Sequence, residues 1–305
     1  MTVDTLTRQG SGRRSVRRQR SAPRQSPRRR IAATTSRWLI GTGLALLCAV
    51  WIYPFLWLVS ASLKKPAEIF AKGLNLIPDS PIWENYVRAW SEVGFSSYFL
   101  NSVLITLGTV ALVIFRSALA GYVLGRHDFI GKRLLIGILL VTFFLPEGYT
   151  IIPITQLTDR LGLLNSHLGV ILGLGAGGQV AATLLYAGYF RAIPKDLEEA
   201  ARIDGAGPLT IFFRIMLPLA WPITATVFIL QFLYAWNAYL LPLVFTLSQP
   251  ELRTLAVGMT AFVGEHDTDW SGMAAAAVLS LLPVVAVFIV LQRRFVESLA
   301  GAVKQ

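Results

Sequence analysis

The 305-residue sequence has a single cysteine, Cys48, and only three histidines. A lone thiol excludes an intrachain disulfide and a cysteine-based zinc cluster, and it leaves the redox compartment open. Charged residues are also scarce, at 15% against about 25% in ordinary globular chains. Hydrophobic residues reach 54%, which reads as a membrane protein. The apolar runs lack the paired His, Asp or Ser–Lys groups that an intramembrane enzyme would use.

Nucleotide sites are missing as well. Gly125 to Lys132 has the outline of a phosphate loop, but five residues separate its glycines. Arg133 also stands where a Ser or Thr would hold magnesium. Gly173, Gly175 and Gly178 satisfy G-x-G-x-x-G, with Asp196 downstream. They open an apolar run rather than follow a strand, so close helix packing accounts for them better than a dinucleotide.

Positive charge is the exception to the scarcity, and it is concentrated at one end. The formal net charge is +11, and eleven arginines between Arg8 and Arg37 face only Asp4. Residues 1–37 are rich in Arg, Ser, Gln and Pro with little to bury, so a disordered tail is expected there. Charge alone is compatible with nucleic acid. An arginine cluster directly before an apolar run instead points to the cytoplasmic side and to anionic lipid headgroups. Arg28 and Arg29 also fit a twin-arginine signal, but the run from Trp38 to Ser60 is longer than a cleavable core and further runs follow it.

Six runs approach or exceed the length that crosses a bilayer: Trp38 to Ser60, Asn101 to Leu124, Leu134 to Leu157, Leu168 to Phe190, Pro222 to Phe245 and Met273 to Leu291. Only helices satisfy their backbone in lipid at such lengths. With both ends placed inside, 21 Lys and Arg are cytoplasmic and six external. This fits the positive-inside rule. The external segment Ser62 to Ser97 balances four basic against four acidic residues and carries Pro66, Pro78 and Pro81, a composition suited to a folded surface loop.

The cytoplasmic segment from Arg191 to Pro218 is patterned differently. Pro194 can open a helix through Ile203, Gly205 can end it at positive φ, and Pro208 can start a second helix running to Pro218. Leu197, Ala200, Ala201 and Asp204 share one face, with Glu198, Glu199 and Arg202 elsewhere. A face of small residues beside a tight turn suits seating in another protein's groove.

Glu199-Ala200-Ala201, three residues, Gly205, nine residues and Ile215-Met216-Leu217-Pro218 resemble, position for position, the EAA loop of ABC importer permeases. Further matches point to the second permease of the carbohydrate, maltose-type branch. They are Ser62-Leu63-Lys64, Glu68-Ile69-Phe70, Glu84-Asn85-Tyr86, Ala89-Trp90, Asn101-Ser102, Trp236-Asn237 and the ending Ala300 to Lys304. The chain departs from that branch at Arg116, Ala238 and Gln305.

The resemblance implies an all-α membrane protein of six transmembrane helices over 38–305, with the type I importer permease fold and cytoplasmic EAA coupling helices. It implies that Glu199, Ala200, Ala201, Asp204, Gly205, Ala206, Ile215, Leu217 and Pro218 couple the chain to an ATPase. The implied partners are a homologous permease, two ATPase subunits or a homodimer that use ATP and magnesium, an extracytoplasmic solute-binding protein, and lipid. The implied role is carbohydrate import; glycerol-phosphate-type or other polar solutes, a secondary transporter and an intramembrane enzyme are the alternatives. No catalytic residue, metal or bound cofactor is expected in this chain.

Charges inside the apolar runs need a partner or water. Arg116 and Glu147 therefore either pair with each other or line the solute path. Trp236, Asn237 and Tyr239 are further path candidates, and aromatic belts or cores are their alternative.

Overall fold

Apolar length and the points where it is interrupted set the architecture. The computed structural model describes residues 27–71, 73–91, 94–144, 147–177, 180–264 and 267–303, with side chains described from 38 to 292 except at residue 147 and within those gaps. Contacts divide the chain into Met1–Pro54 and Phe55–Gln305, with the division inside the first helix, α1 (Pro27–Ser62).

In the first unit α1 begins at Pro27, well before Trp38, so the stretch expected to be disordered through residue 37 is helical from Pro27 onward. Proline is favoured at a helix's first position, and the Arg, Ile and Ala that follow propagate it well. The expectation for residues 1–26 lies outside the described residues. The apolar side chains from Trp38 to Ile52 are exposed, as a lipid-facing helix would have them.

Among its described residues the regular elements of the second unit are all helices, joined by turns and irregular segments, with one isolated bridge between Val263 and Thr268. Among the described residues, three helices are long and apolar enough to cross a membrane, Trp38–Ser62, Phe95–Arg126 and Trp270–Gln292. Three bent pairs raise the number to six if each pair is one span. The second span is α4 (Phe95–Arg126) and the last is α15 (Trp270–Val303).

The third expected run is α5 (Lys132–Phe143) and α6 (Glu147–Arg160), at 106° to one another. The fourth is α7 (His167–Ala176) and α8 (Val180–Ala192), bent by 58°. The fifth differs most from expectation: α12 (Trp221–Trp236) stops inside the apolar run, and α13 (Leu240–Phe245) follows. Pro242 is the reason. Its ring would meet the carbonyl of Ala238 in a continuous helix and it has no N–H to donate, whereas in the first turn of α13 neither matters. Asn237 assists by turning its amide nitrogen back onto the Leu233 carbonyl, 2.8 Å away.

The segment between the first two spans is folded, as its balanced charge implies. It holds α2 (Pro66–Ala71) and α3 (Glu84–Ser91). Lys64 is buried and donates to the Asn75 carbonyl. Asn85 donates to the carbonyls of Ser62 and Lys64 at 2.9 and 3.1 Å, and Arg88 reaches Asp269 at 2.9 Å. Asn101 and Ser102 tie α4 to the segment before α14 (Leu255–Gly258): Asn101 donates to Glu251 and Arg253 carbonyls, and Ser102 Oγ accepts from Leu255 N–H at 2.7 Å.

Helix α4 is the element around which the others are arranged, packing on α7, α8, α12 and α14. Its approach to α8 depends on Gly121, where an added Cβ would lie 2.4 Å from Tyr186 Cβ and 2.9 Å from the Thr183 carbonyl oxygen. Gly173 and Gly175, the residues of the false dinucleotide motif, lie inside α7 against Phe245 and Leu112 and so have the packing role expected of them. Gly121→Ala forces backbone to move and should destabilise the protein by about 1–3 kcal/mol. Gly188→Ala on α8, with nothing within 4 Å, should have no such cost. A lowered thermal midpoint for the detergent-solubilised Gly121 variant but not for the Gly188 variant is the expected result; equal midpoints would remove the close-approach account.

Candidate functional site

Two places gather the residues that the sequence singles out. The first is the polar segment between α8 and α12. Its leading helix, α9 (Asp196–Ile203), has Asp196, Glu198 and Glu199 in its first turn, where the positive end of the helix dipole favours them. It ends as its glycine requires. Gly205 has φ of 81°, its N–H reaches the Arg202 carbonyl at 3.0 Å, and Ala206 N–H reaches Ala201 at 2.9 Å. This is the paired 5→2 and 6→1 closure that absorbs the last carbonyls of a helix.

Pro208 opens α10 (Pro208–Ile211), which runs into a π-helical turn, Phe212–Met216, and α11 (Leu217–Leu219). The π turn is not visible in the sequence pattern. It stands just ahead of Pro218, which cannot donate to Arg214 and crowds its carbonyl, so the chain widens and Leu217 N–H bonds Phe212 instead. At Ala220 the direction changes by 75° into α12.

The face expected to be free needs a correction. Leu197, Ala200 and Asp204 are exposed, but Ala201 is buried and Glu198 is turned inward with it. Glu199, Gly205 and Pro218 are exposed, while Ala206, Ile215 and Leu217 pack partly buried against a cluster containing Tyr122, Tyr186, Phe190, Phe212 and Met216. Exposed Leu197, Ile203, Leu209 and Phe213 add apolar area to the outer side.

Glu198 is drawn inward by Arg126, the last residue of α4, whose Nε donates to its carboxylate at 2.7 Å. The two side chains are 3% and 8% exposed, and Arg202 stands 3.8 Å from the other carboxylate oxygen. Arg126 also donates to the carbonyls of Phe190 and Ile193 at 3.3 and 2.6 Å and of Pro194 at 3.4 Å. One guanidinium therefore fastens α4, the end of α8 and α9 together. Sequence reading does not single out this pair: the two residues are 72 apart, and only the one-residue rotation of the α9 face could have signalled it.

The second place is a cavity of about 1210 Å³ bordered by α4 to α8 and the α12–α13 turn. Arg116 and Tyr239 both line it, together with Phe129, Thr150 and Tyr234. Arg116 donates from Nη1 to the carbonyl of Ala176, the last residue of α7, at 3.1 Å. Trp236 is elsewhere. It is buried in the core, stacked on Phe232 at 5.4 Å and donating to the Ser280 carbonyl at 3.2 Å. Asn237 is exposed and bonds Leu233 rather than bordering the cavity. The Glu147 side chain, and with it the expected pairing to Arg116, lies outside the described residues.

No group of three or more His, Cys, Asp or Glu that could hold a metal occurs among the described residues. Residues 117–301 match the family described as the binding-protein-dependent transport system inner membrane component. The chain is 36% identical over 281 residues to a diacetylchitobiose uptake system permease protein of Streptomyces coelicolor, covering 90% of this chain and 91% of that one. It is 34% identical over 277 residues to a melibiose/raffinose/stachyose import permease protein of Bacillus subtilis, covering 90% and 99%. Its fold matches a chain of a bacterial ABC transporter involved in the import of the acidic polysaccharide alginate, with TM-score 0.74, 25% identity and coverage of 90% and 100%.

Breaking a buried ion pair strands a charge and costs about 3–5 kcal/mol. Arg126→Ala and Glu198→Ala should each lower unfolding stability by that order, and the double variant should lose far less than the sum. Additive losses in a double-mutant cycle on solubilised protein would show that the two do not act on each other.

Proposed function

The chain belongs to the family of binding-protein-dependent transport system inner membrane components, and we propose that it forms one permease half of an ATP-driven carbohydrate importer. The family and fold make it a multi-pass membrane permease subunit of an ABC importer and not an enzyme. ATP chemistry belongs to a separate subunit. The carbohydrate reading is supported by relatives whose names carry di- and oligosaccharides.

The observation that carries the coupling part of this reading is the segment from Glu199 to Pro218. Its exposed apolar residues and its glycine-closed turn lie between α8 and α12, and it is fastened to α4 through Glu198. In the proposed arrangement both termini and this segment face the cytoplasm, and the segment Ser62 to Ser97 is external, as the charge bias favours. Leu197, Glu199, Ala200, Asp204 and Gly205 then seat on one of two ATPase subunits, which are different chains or two copies of one and use ATP with magnesium. A homologous permease completes the path, an extracytoplasmic protein delivers the solute, and the arginine-rich tail meets anionic lipid. Arg116 and Tyr239 border the solute path through the cavity, and Glu147, at the start of α6, is a further candidate for it.

Gly205 allows a clean test, because a Cβ there meets nothing within 4 Å and the only strain is the positive φ. Gly205→Val should leave insertion and assembly intact, yet lower solute uptake per assembled complex much further. Holding a β-branched residue in that conformation costs about 1–3 kcal/mol, enough to displace the turn. Reconstituted vesicles, with uptake and solute-stimulated ATP hydrolysis both normalised to assembled complex, provide the measurement. Unchanged coupling in the variant would mean that this turn does not transmit.

A further inference from the structure

A guanidinium stays charged at any pH a cell offers, and inside a membrane span that charge has to be answered. Arg116 sits in the interior of α4 and borders the cavity. One of its donors is engaged by the Ala176 carbonyl at the negative end of α7. That contact anchors the side chain without neutralising it. Its Nε is buried and has no hydrogen-bond partner among the described residues.

The surrounding wall sharpens the imbalance. Apolar and aromatic residues make up most of it, and Arg116 is the one charged residue among the described residues that line it. Val180, the first residue of α8, borders the same space, so the N-terminal turn of that helix, the end favourable to an anion, forms part of the wall. An anchored fork with unused donors in low-dielectric surroundings is a receptor for a planar or tetrahedral anion. The space, about 1210 Å³, is ample for a solute of several sugar rings, since ligand sites commonly span about 300–1000 Å³.

We infer that Arg116 makes this cavity a binding site for acidic solutes, taking a carboxylate, sulfonate or phosphate group while the aromatic wall takes the rest of the molecule. This rests on the cavity being the solute path. Two other sources of compensation compete with the solute: the Glu147 carboxylate at the start of α6, and an anionic lipid headgroup. The test separates all three.

In a Cys48→Ala background, Ala120→Cys places a thiol one helical turn from Arg116, on the same wall of the cavity. The full chain in phosphatidylcholine nanodiscs is then treated with a sulfonate-bearing methanethiosulfonate and with its trimethylammonium counterpart. Each rate is scaled to that reagent's rate on free cysteine. The anionic reagent should be favoured by on the order of tenfold. Arg116→Gln should abolish the preference and Arg116→Lys should keep it. Millimolar glucuronate should slow modification and glucose should not.

Several outcomes would overturn the proposal. They are no reaction with either reagent, a preference that survives Arg116→Gln, or equal protection by glucose and glucuronate. A preference that emerges only after Glu147→Gln would assign the charge to an internal pair. Protection by phosphatidylglycerol in the disc without protection by glucuronate would assign the site to lipid. None of these measurements requires ATP or a partner subunit. A failure of ATP-driven uptake in the assembled complex would therefore count against the transport path and leave the anion site to be judged separately.

Discussion

A backbone in hydrocarbon has no water to turn to, so every carbonyl left over at the end of a helix needs a donor from the protein itself. Much of what is unusual in this chain sits at such ends. Helix α4 supplies two of the donors: Arg116 to the last carbonyl of α7, and Arg126 to the carbonyls at and beyond the end of α8. The bent fourth span, α7 with α8, is thus held at both of its C-terminal ends by one continuous helix. Removing Arg126 would take a donor from three carbonyls, those of Phe190, Ile193 and Pro194, and removing Arg116 would take one from Ala176.

That dependence explains which parts of the fold were legible in the sequence. The number and approximate place of the spans follow from apolar length, and the closure of α9 follows from Gly205, because both are local. The interruptions have local causes too, but apolar length does not carry them. An unbroken apolar run from Pro222 to Phe245 reads as one helix until Pro242 is counted against the Ala238 carbonyl, and the π turn appears only when the same reasoning is applied to Pro218 and Arg214. In lipid the apolar character of a segment says that it is buried, and says little about where its helix stops.

The candidate site divides in the same way. Glu199 to Pro218 could be read as a unit because its signals lie within one stretch of chain. Trp236, beside Asn237 in an apolar run, gave no sequence sign of whether it faced a path or a core; its burial against Phe232, Phe99 and the Ser280 carbonyl is a matter of tertiary packing. Glu198 is the sharper case. Helical periodicity put it on the polar side of α9, and only the distant Arg126 makes an inward carboxylate affordable there.

Arg116 and Arg126 stand ten residues apart on one uninterrupted helix, a separation of about 15 Å along its axis. At one end of that length α4 grips α9, whose outer face is the proposed ATPase contact; at the other it forms the wall of the cavity. A ligand or nucleotide can shift a conformational balance only by its differential affinity for the two states, and swinging a ratio from 1:99 to 99:1 takes about 5.5 kcal/mol. Little of that survives transmission through a loop that can relax. A close-packed helix, joined to α9 by a buried ion pair and to α8 across the glycine contact at Gly121, cannot relax separately from either. Displacement of α9 must then move the base of the cavity wall with it, because bending α4 or opening the ion pair would each cost a comparable share of the available energy.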